Sequence, residues 1–259
     1  MKQLLPLSFG IVMALTQVGL SQTTIFSDDF STYSTDAALL ATWTRASGTS
    51  VNIGLAVDPD SSGTHGQNIF RTPGGSNLGQ LTKTLSSGLV PTDLNPIVFS
   101  FDLYDPNGGT TSGRDYAEIR FSGSTQGLFD AGIYNSVNTG TLAQGKYQAR
   151  DIDNGLWIQL DTVRTVGWHN FEFTIRATTV DLKIDGTIDP QFNNRAWNGF
   201  TGTSKFDLIK IGSALSSNLG TANYDNVFVG IAVVPEPSTA TLMLLGLGFT
   251  GLLIRRRTK

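Results

Sequence analysis

The chain is predicted to fold as an all-β, jelly-roll β-sandwich, flanked by an N-terminal signal peptide and a C-terminal transmembrane helix. Three observations predict this. Several segments of the body alternate apolar and polar residues with period two, no body segment sustains a helical period, and Gly-, Pro- and Asn-rich turns separate the alternating runs.

The elements follow in chain order. Asp36 to Thr42 reads as one short helix or turn, and Gln67 to Arg71 as a strand. Ile97, Phe99, Phe101 and Leu103 alternate with Val98, Ser100, Asp102 and Tyr104, which predicts a strand with one face on a core and one in water. The three glycines between Asp105 and Arg114 predict a mobile loop. Ala117, Ile119 and Phe121 alternate with Glu118 and Arg120, which puts Glu118 in water. Short strands are expected at 132–134 and 156–162. Phe171, Phe173 and Ile175, then Val180, Leu182 and Ile184, form two strands closed by an Asp185-Gly186 turn, with Glu172 facing solvent. Strands over 206–211 and 223–232 complete the body.

The ends carry targeting information. Lys2 followed by an apolar run from Leu4 to Leu20, with small residues at Gly19 and Ser21, is the layout of a secretory signal peptide cut after Ser21. At the other end come Pro235-Glu236-Pro237, an uncharged apolar run from Thr239 to Ile254, and Arg255-Arg256-Arg257. As a helix that run spans roughly 24 Å, adequate for a thin bilayer core. The arginines favour the cytoplasmic side, so the body faces outward. The expected organisation is residues 1–21 for export, 22–233 for one sandwich domain and 234–259 for the tail.

Those three tail features together resemble the PEP-CTERM sorting domain of exopolysaccharide-producing bacteria. The resemblance implies recognition, and cleavage, by a membrane enzyme called exosortase. It further implies a destination at the surface or in the extracellular matrix of a Gram-negative bacterium, with a transient or permanent membrane anchor at residues 239–254.

The body has no cysteine, so its own core or a metal must hold it. It carries 13 basic and 20 acidic residues, a net charge of −7, with no run of Lys or Arg, which discounts nucleic acid as a partner. Its acids are nearly all Asp, suited to loops and hard cations.

A second resemblance covers most of residues 24–232. Phe26-Ser27-Asp28-Asp29-Phe30 leading to Trp43, Gly167-Trp168-His169 leading into the paired strands, and the closing Tyr224-Asp225-Asn226-Val227-Phe228-Val229 are similar to concanavalin A-like (laminin-G-type) jelly rolls. That fold hosts lectins, glycosidases and adhesive modules alike, so it implies architecture before function. First and last strands tend to be neighbours in a jelly roll. This would gather Asp28, Asp29, Asp225 and Asn226 as ligands of a structural calcium ion. Asp58 and Asp60, around Pro59, read as a plain acidic turn.

Sugar binding would use aromatic rings beside amides and carboxylates. Trp197, in the polar stretch Asn193 to Gly199, is the first candidate, with Tyr104 and Tyr134 at strand ends. Trp43 and Trp168 are expected in the core. Catalysis is not expected. No Glu-x-Asp-x-x-Glu strand and no Gly-x-Ser-x-Gly elbow occurs, and His169 reads as a structural turn residue. The Asp151/Asp153 and Asp181/Asp185 pairs read as solvated strand faces. The expected role is a non-catalytic surface or matrix protein associated with exopolysaccharide. The rivals are an adhesive protein without a glycan site and a glycan-active enzyme.

Overall fold

The computed structural model describes residues 21–45, 53–71, 79–109, 113–122, 128–134, 145–150, 156–199, 204–213 and 221–233. Residues 1–20 of the export segment, the tail with Pro235, Glu236, Pro237 and the three arginines, and Asp151 and Asp153 lie outside the described residues.

The described chain is nearly all β. In order it forms β1 (Ser21–Asp28), α1 (Asp36–Thr42), β2 (Thr44–Arg45), β3 (Ile53–Val57), β4 (Gln67–Arg71) and β5 (Gly79–Leu89). There follow β6 (Ile97–Asp105), β7 (Arg114–Arg120), β8 (Leu128–Tyr134), β9 (Lys146–Arg150), β10 (Trp157–Val163) and β11 (Gly167–Ile175). The last are β12 (Thr179–Ile184), β13 (Thr187–Ile188), β14 (Arg195–Ala196), β15 (Phe206–Ser213) and β16 (Ala222–Val233).

Two antiparallel sheets result. The first runs β13-β12-β11-β6-β16-β4-β3, with β1 on β16 and β14 on β12. The second runs β10-β9-β8-β7-β15-β5-β2. First and last strands are indeed neighbours, and the two sheets make the expected sandwich.

The core is aromatic, as the alternation requires. Phe101 stacks on Phe171 across β6 and β11, with centroids 5.2 Å apart, and Phe99 pairs with Phe173 the same way at 6.3 Å. Phe129 from β8 meets Phe173 at 6.0 Å, and Tyr147 from β9 meets Phe171 edge-on at 5.1 Å, so these rings join the two sheets. Each fully buried ring of this kind contributes roughly 1.5–3 kcal/mol through burial. The alternation of β16 is broken by a bulge between Asp225 and Phe228. Asn226 takes a positive φ of 48° there, which returns Val227 and Val229 to the core after Tyr224.

Local polar ties fix the segment ends. Thr35 caps α1 by accepting the Ala38 N–H, and Leu39 anchors the helix in the core. After β6, the Asp105 carboxylate accepts the Asn107 and Gly108 N–H groups and pairs with Arg164 through two bonds of 2.7 and 3.0 Å. The first part of the predicted mobile loop is therefore pinned by a buried ion pair. Residues 110–112 lie outside the described residues.

Candidate functional site

The outer face of the second sheet carries a cleft of about 210 Å³. It is lined by Gln80, Tyr116, Glu118, Arg120, Tyr134, Arg150, Trp157 and Lys210. Strand register builds it. Lys210 on β15 lies opposite Glu118 on β7, Glu118 opposite Asp130 on β8, Asp130 opposite Arg150 on β9, and Arg150 opposite Trp157 on β10. One cross-strand row thus brings together residues scattered over almost a hundred positions of sequence.

The row is an ion network. Glu118 accepts from Arg120 at 3.1 Å and lies 3.3 Å from the Lys210 ammonium. Arg150 donates to Asp130 at 3.0 Å. Asp130 is sealed from solvent, and its other oxygen, Oδ1, has no hydrogen-bond partner. Burial first, and the neighbouring Glu118 charge second, push the Asp130 carboxyl up to about 8, against the pull of Arg150. Burial and the Glu118 charge also push the Tyr116 hydroxyl far up, so it stays a neutral phenol.

Above the row stands an aromatic wall. Tyr134 and Trp157 stack with centroids 4.0 Å apart and planes 10° from parallel, and Tyr116 meets Trp157 edge-on at 5.1 Å. Guanidiniums stand over both stacked rings, Arg114 at 5.0 Å from Tyr134 and Arg150 at 5.4 Å from Trp157. A glycine backs Tyr116. Gly132 sits beside Tyr116 at φ 145°, where a Cβ would overlap the Asp115 carbonyl oxygen and come within 2.8 Å of the Tyr116 Cα.

Of the three expected sugar contacts, only Tyr134 lies here. Trp197 is 3% exposed and packs edge-on against Phe129 at 5.5 Å, so it closes the end of the core and offers no face to solvent. The polar residues flanking it suggested a surface loop; the backbone bond from Trp197 N to Thr178 O turns the ring inward instead. Trp157 was not singled out. The signal was its place at the start of a strand whose neighbour supplies Arg150.

Tyr104 lies on the opposite sheet, in a different polar cluster. There Trp168 stacks on His65 at 3.9 Å, meets Tyr104 edge-on at 5.5 Å, and donates from Nε1 to Asp58 at 3.1 Å. Trp168 is therefore not a core residue. It has the parity of Asn170 and Glu172, opposite to that of the core residues Phe171 and Phe173. Asp58 is likewise more than an acidic turn. Burial works against its charge, but bonds from Trp168, Asp60 and Ser62 outweigh that and hold it well below the usual range. Glu118 corrects a third expectation. It faces outward as its parity requires, yet it is only 3% exposed because the cleft walls cover it. Glu172 keeps partial exposure and pairs with Lys183 at 2.7 Å. Trp43 is a core residue, as expected.

The expected calcium ligands meet at the β1–β16 seam, beside a hollow of about 430 Å³ lined in part by Asp28, Asp29, Tyr33 and Asn226. Their carboxylates already accept hydrogen bonds from the protein. Asp28 accepts from Tyr33 Oη at 2.6 Å, Trp43 Nε1 at 2.8 Å and Phe30 N at 2.9 Å. Burial, then this bond to Asp28, pushes the Tyr33 hydroxyl up to about 12. Asp29 is taken by Ser31 and Asp225 by the Asn226 N–H, while the Asn226 side chain donates to Asp102. Among the described residues, no group of three or more His, Asp or Glu side chains is placed to hold a metal.

The other acid and histidine candidates have structural partners. Asp181 pairs with Arg176 at 2.8 Å and accepts the Asn194 N–H. Asp185 lies 2.7 Å from His169 Nδ1, and His169 Nε2 lies 3.0 Å from the Thr165 hydroxyl, which fastens the turn.

Solved structures share this architecture at low identity. The conserved carbohydrate esterase vb_24B_21 from Shiga toxin-encoding bacteriophage phi24B matches with a TM-score of 0.53 at 14% identity, over 82% of this chain and 99% of that one. Cellulose induced protein Cip1 matches at 0.51 and 12%, over 79% and 96%. The receptor binding domain of botulinum neurotoxin D matches at 0.50 and 12%, over 86% of this chain and 52% of that one. At these identities the likeness is one of fold, and it places the body among β-sandwich domains of the jelly-roll type. No curated protein matches the sequence. The tail does match: residues 233–257 fit the PEP-CTERM protein-sorting motif, so the chain carries a C-terminal sorting signal that marks an exported surface protein and implies exosortase processing.

Proposed function

We propose that this protein is a non-catalytic component of the bacterial cell surface or extracellular matrix whose body holds extracellular polysaccharide in the cleft of the second sheet. The organism would be Gram-negative and the tail would be processed by exosortase in its envelope. One observation carries the reading: an aromatic wall and a row of hydrogen-bonding side chains line the same outward cleft, the combination that sugar recognition uses. The carbohydrate esterase among the fold relatives is consistent with it at the level of fold alone.

The neighbouring carboxyls Glu118 and Asp130 favour binding over hydrolysis. A glycosidase needs two acids flanking the scissile bond, one to protonate the leaving oxygen and one to attack the anomeric carbon or activate a water. Here the two side chains are 4% and 0% exposed and are committed to Arg120, Lys210 and Arg150.

The test is binding of purified residues 22–233, the compact unit that holds the whole core, to exopolysaccharide from the producing organism. Binding that falls with Trp157→Ala, without release of reducing ends, supports the reading. Retention of binding in Trp157→Ala moves the site elsewhere. Release of reducing ends makes the protein an enzyme, and no binding at all leaves an adhesive protein without a glycan site.

A further inference from the structure

We infer that the cleft selects acidic polysaccharide, engaging sugar carboxylate or sulfate groups with Arg120, Arg150 and Lys210 rather than stacking neutral sugar rings on its aromatic wall. This rests on the proposed glycan role of the same cleft.

Charge is the first ground. The body carries 20 acidic residues against 13 basic ones. Yet the cleft lining holds three cations and a single anion, Glu118. That one carboxylate is shared between Arg120 and Lys210, so it cannot neutralise both. Asp130, below Arg150, is wholly buried with one oxygen unpartnered, and burial disfavours its charged form, which weakens its hold on Arg150. The side chains of Arg150 and Lys210 keep 20% and 21% exposure, so both remain within reach of a ligand. A positive cleft on a negative body needs a reason, and an anionic ligand supplies one.

The second ground is the state of the rings. A neutral sugar binds an aromatic platform by laying its C–H face on an open ring face. Tyr134 and Trp157 spend one face each on the other, at 4.0 Å, and a guanidinium stands over each. The wall therefore presents edges and cations more than open faces. The stack also holds the Arg150 guanidinium in place, so little of its freedom is lost on meeting an oxyanion.

The experiment measures binding of residues 22–233 to two uronate polymers, polygalacturonate and alginate, each also in carboxyl-reduced form, and to dextran sulfate and dextran. The expected result is binding of at least one anionic polymer, loss on carboxyl reduction or in plain dextran, and weakening as salt is raised. Lys210→Gln should weaken that binding roughly tenfold, as expected for one charged hydrogen bond. Lys210→Arg should restore it, both variants being compared at a temperature where circular dichroism shows them fully folded, since Lys210→Gln also takes one cation from Glu118. Preference for a uronate over dextran sulfate identifies the carboxylate as the ligand group, and the reverse identifies sulfate. Equal binding of a polymer and its neutral counterpart, lost in Trp157→Ala, overturns the anionic selectivity while keeping the glycan site. Binding to none of the six polymers overturns the inference. If the organism's own exopolysaccharide still binds in that case, the proposed function survives without it.

Discussion

Glu118 and Asp130 are direct cross-strand partners on β7 and β8, so a carboxylate that lines the cleft sits beside one that is wholly buried. Like charges in that relation repel. The fold resolves the conflict unevenly. Glu118 is given two cations, whereas Asp130 is given one, with its second oxygen left without a partner.

This asymmetry predicts a pH dependence. The folded Asp130 carboxyl holds its proton up to about 8, whereas a free Asp ionises near 3.8. Between those values the folded state binds one more proton than the unfolded state. The group's contribution to stability is therefore complete below about 3.8 and is lost as pH rises toward 8. Asp130→Asn, which cannot ionise, should flatten that decline. Urea midpoints of both proteins across this range check it. Parallel curves would mean that Asp130 ionises normally.

The two tryptophans at issue should behave oppositely. Trp197→Ala should cost about 3–5 kcal/mol in denaturant unfolding because it empties a buried site against Phe129. Trp157→Ala should cost less, because its ring is half-buried at the surface, and should lower polysaccharide binding.

Gly132→Ala should destabilise the body by about 1–3 kcal/mol or more, from the strained φ alone. The added clash with the Asp115 carbonyl should displace Tyr116 and spoil the cleft. Thermal unfolding with tyrosine near-UV circular dichroism reads both effects.

Asp28→Ala should destabilise by about 1–3 kcal/mol, since the buried Trp43 indole N–H and the Tyr33 hydroxyl both lose their acceptor. A chelator should leave the melting temperature of the unaltered protein where it was. A drop of several degrees on chelation would show that the seam binds calcium after all.

Much of the fold was legible from the residues because a strand's period of two is a local property. Phe99 and Phe101, or Phe171 and Phe173, declare their common face without knowledge of any partner. Asp36–Thr42, read as a short helix or turn, is a helix, and the adjacency of first and last strands is what the jelly-roll resemblance implied. The site was less so. Parity says which side of a sheet Glu118 or Trp168 occupies, but depth depends on what neighbouring strands place over it. Trp197 shows the same gap, for a polar neighbourhood in sequence did not keep its ring from the core.

The sequence by itself determined the all-β class, the strand periodicity and the sorting motif at 233–257, because each is written in contiguous residues. Only the tertiary structure decided that Lys210, Glu118, Asp130, Arg150 and Trp157 form one row. Antiparallel register between distant strands sets that row. Its energy comes from pairing and burial across the whole sheet, which no single segment encodes.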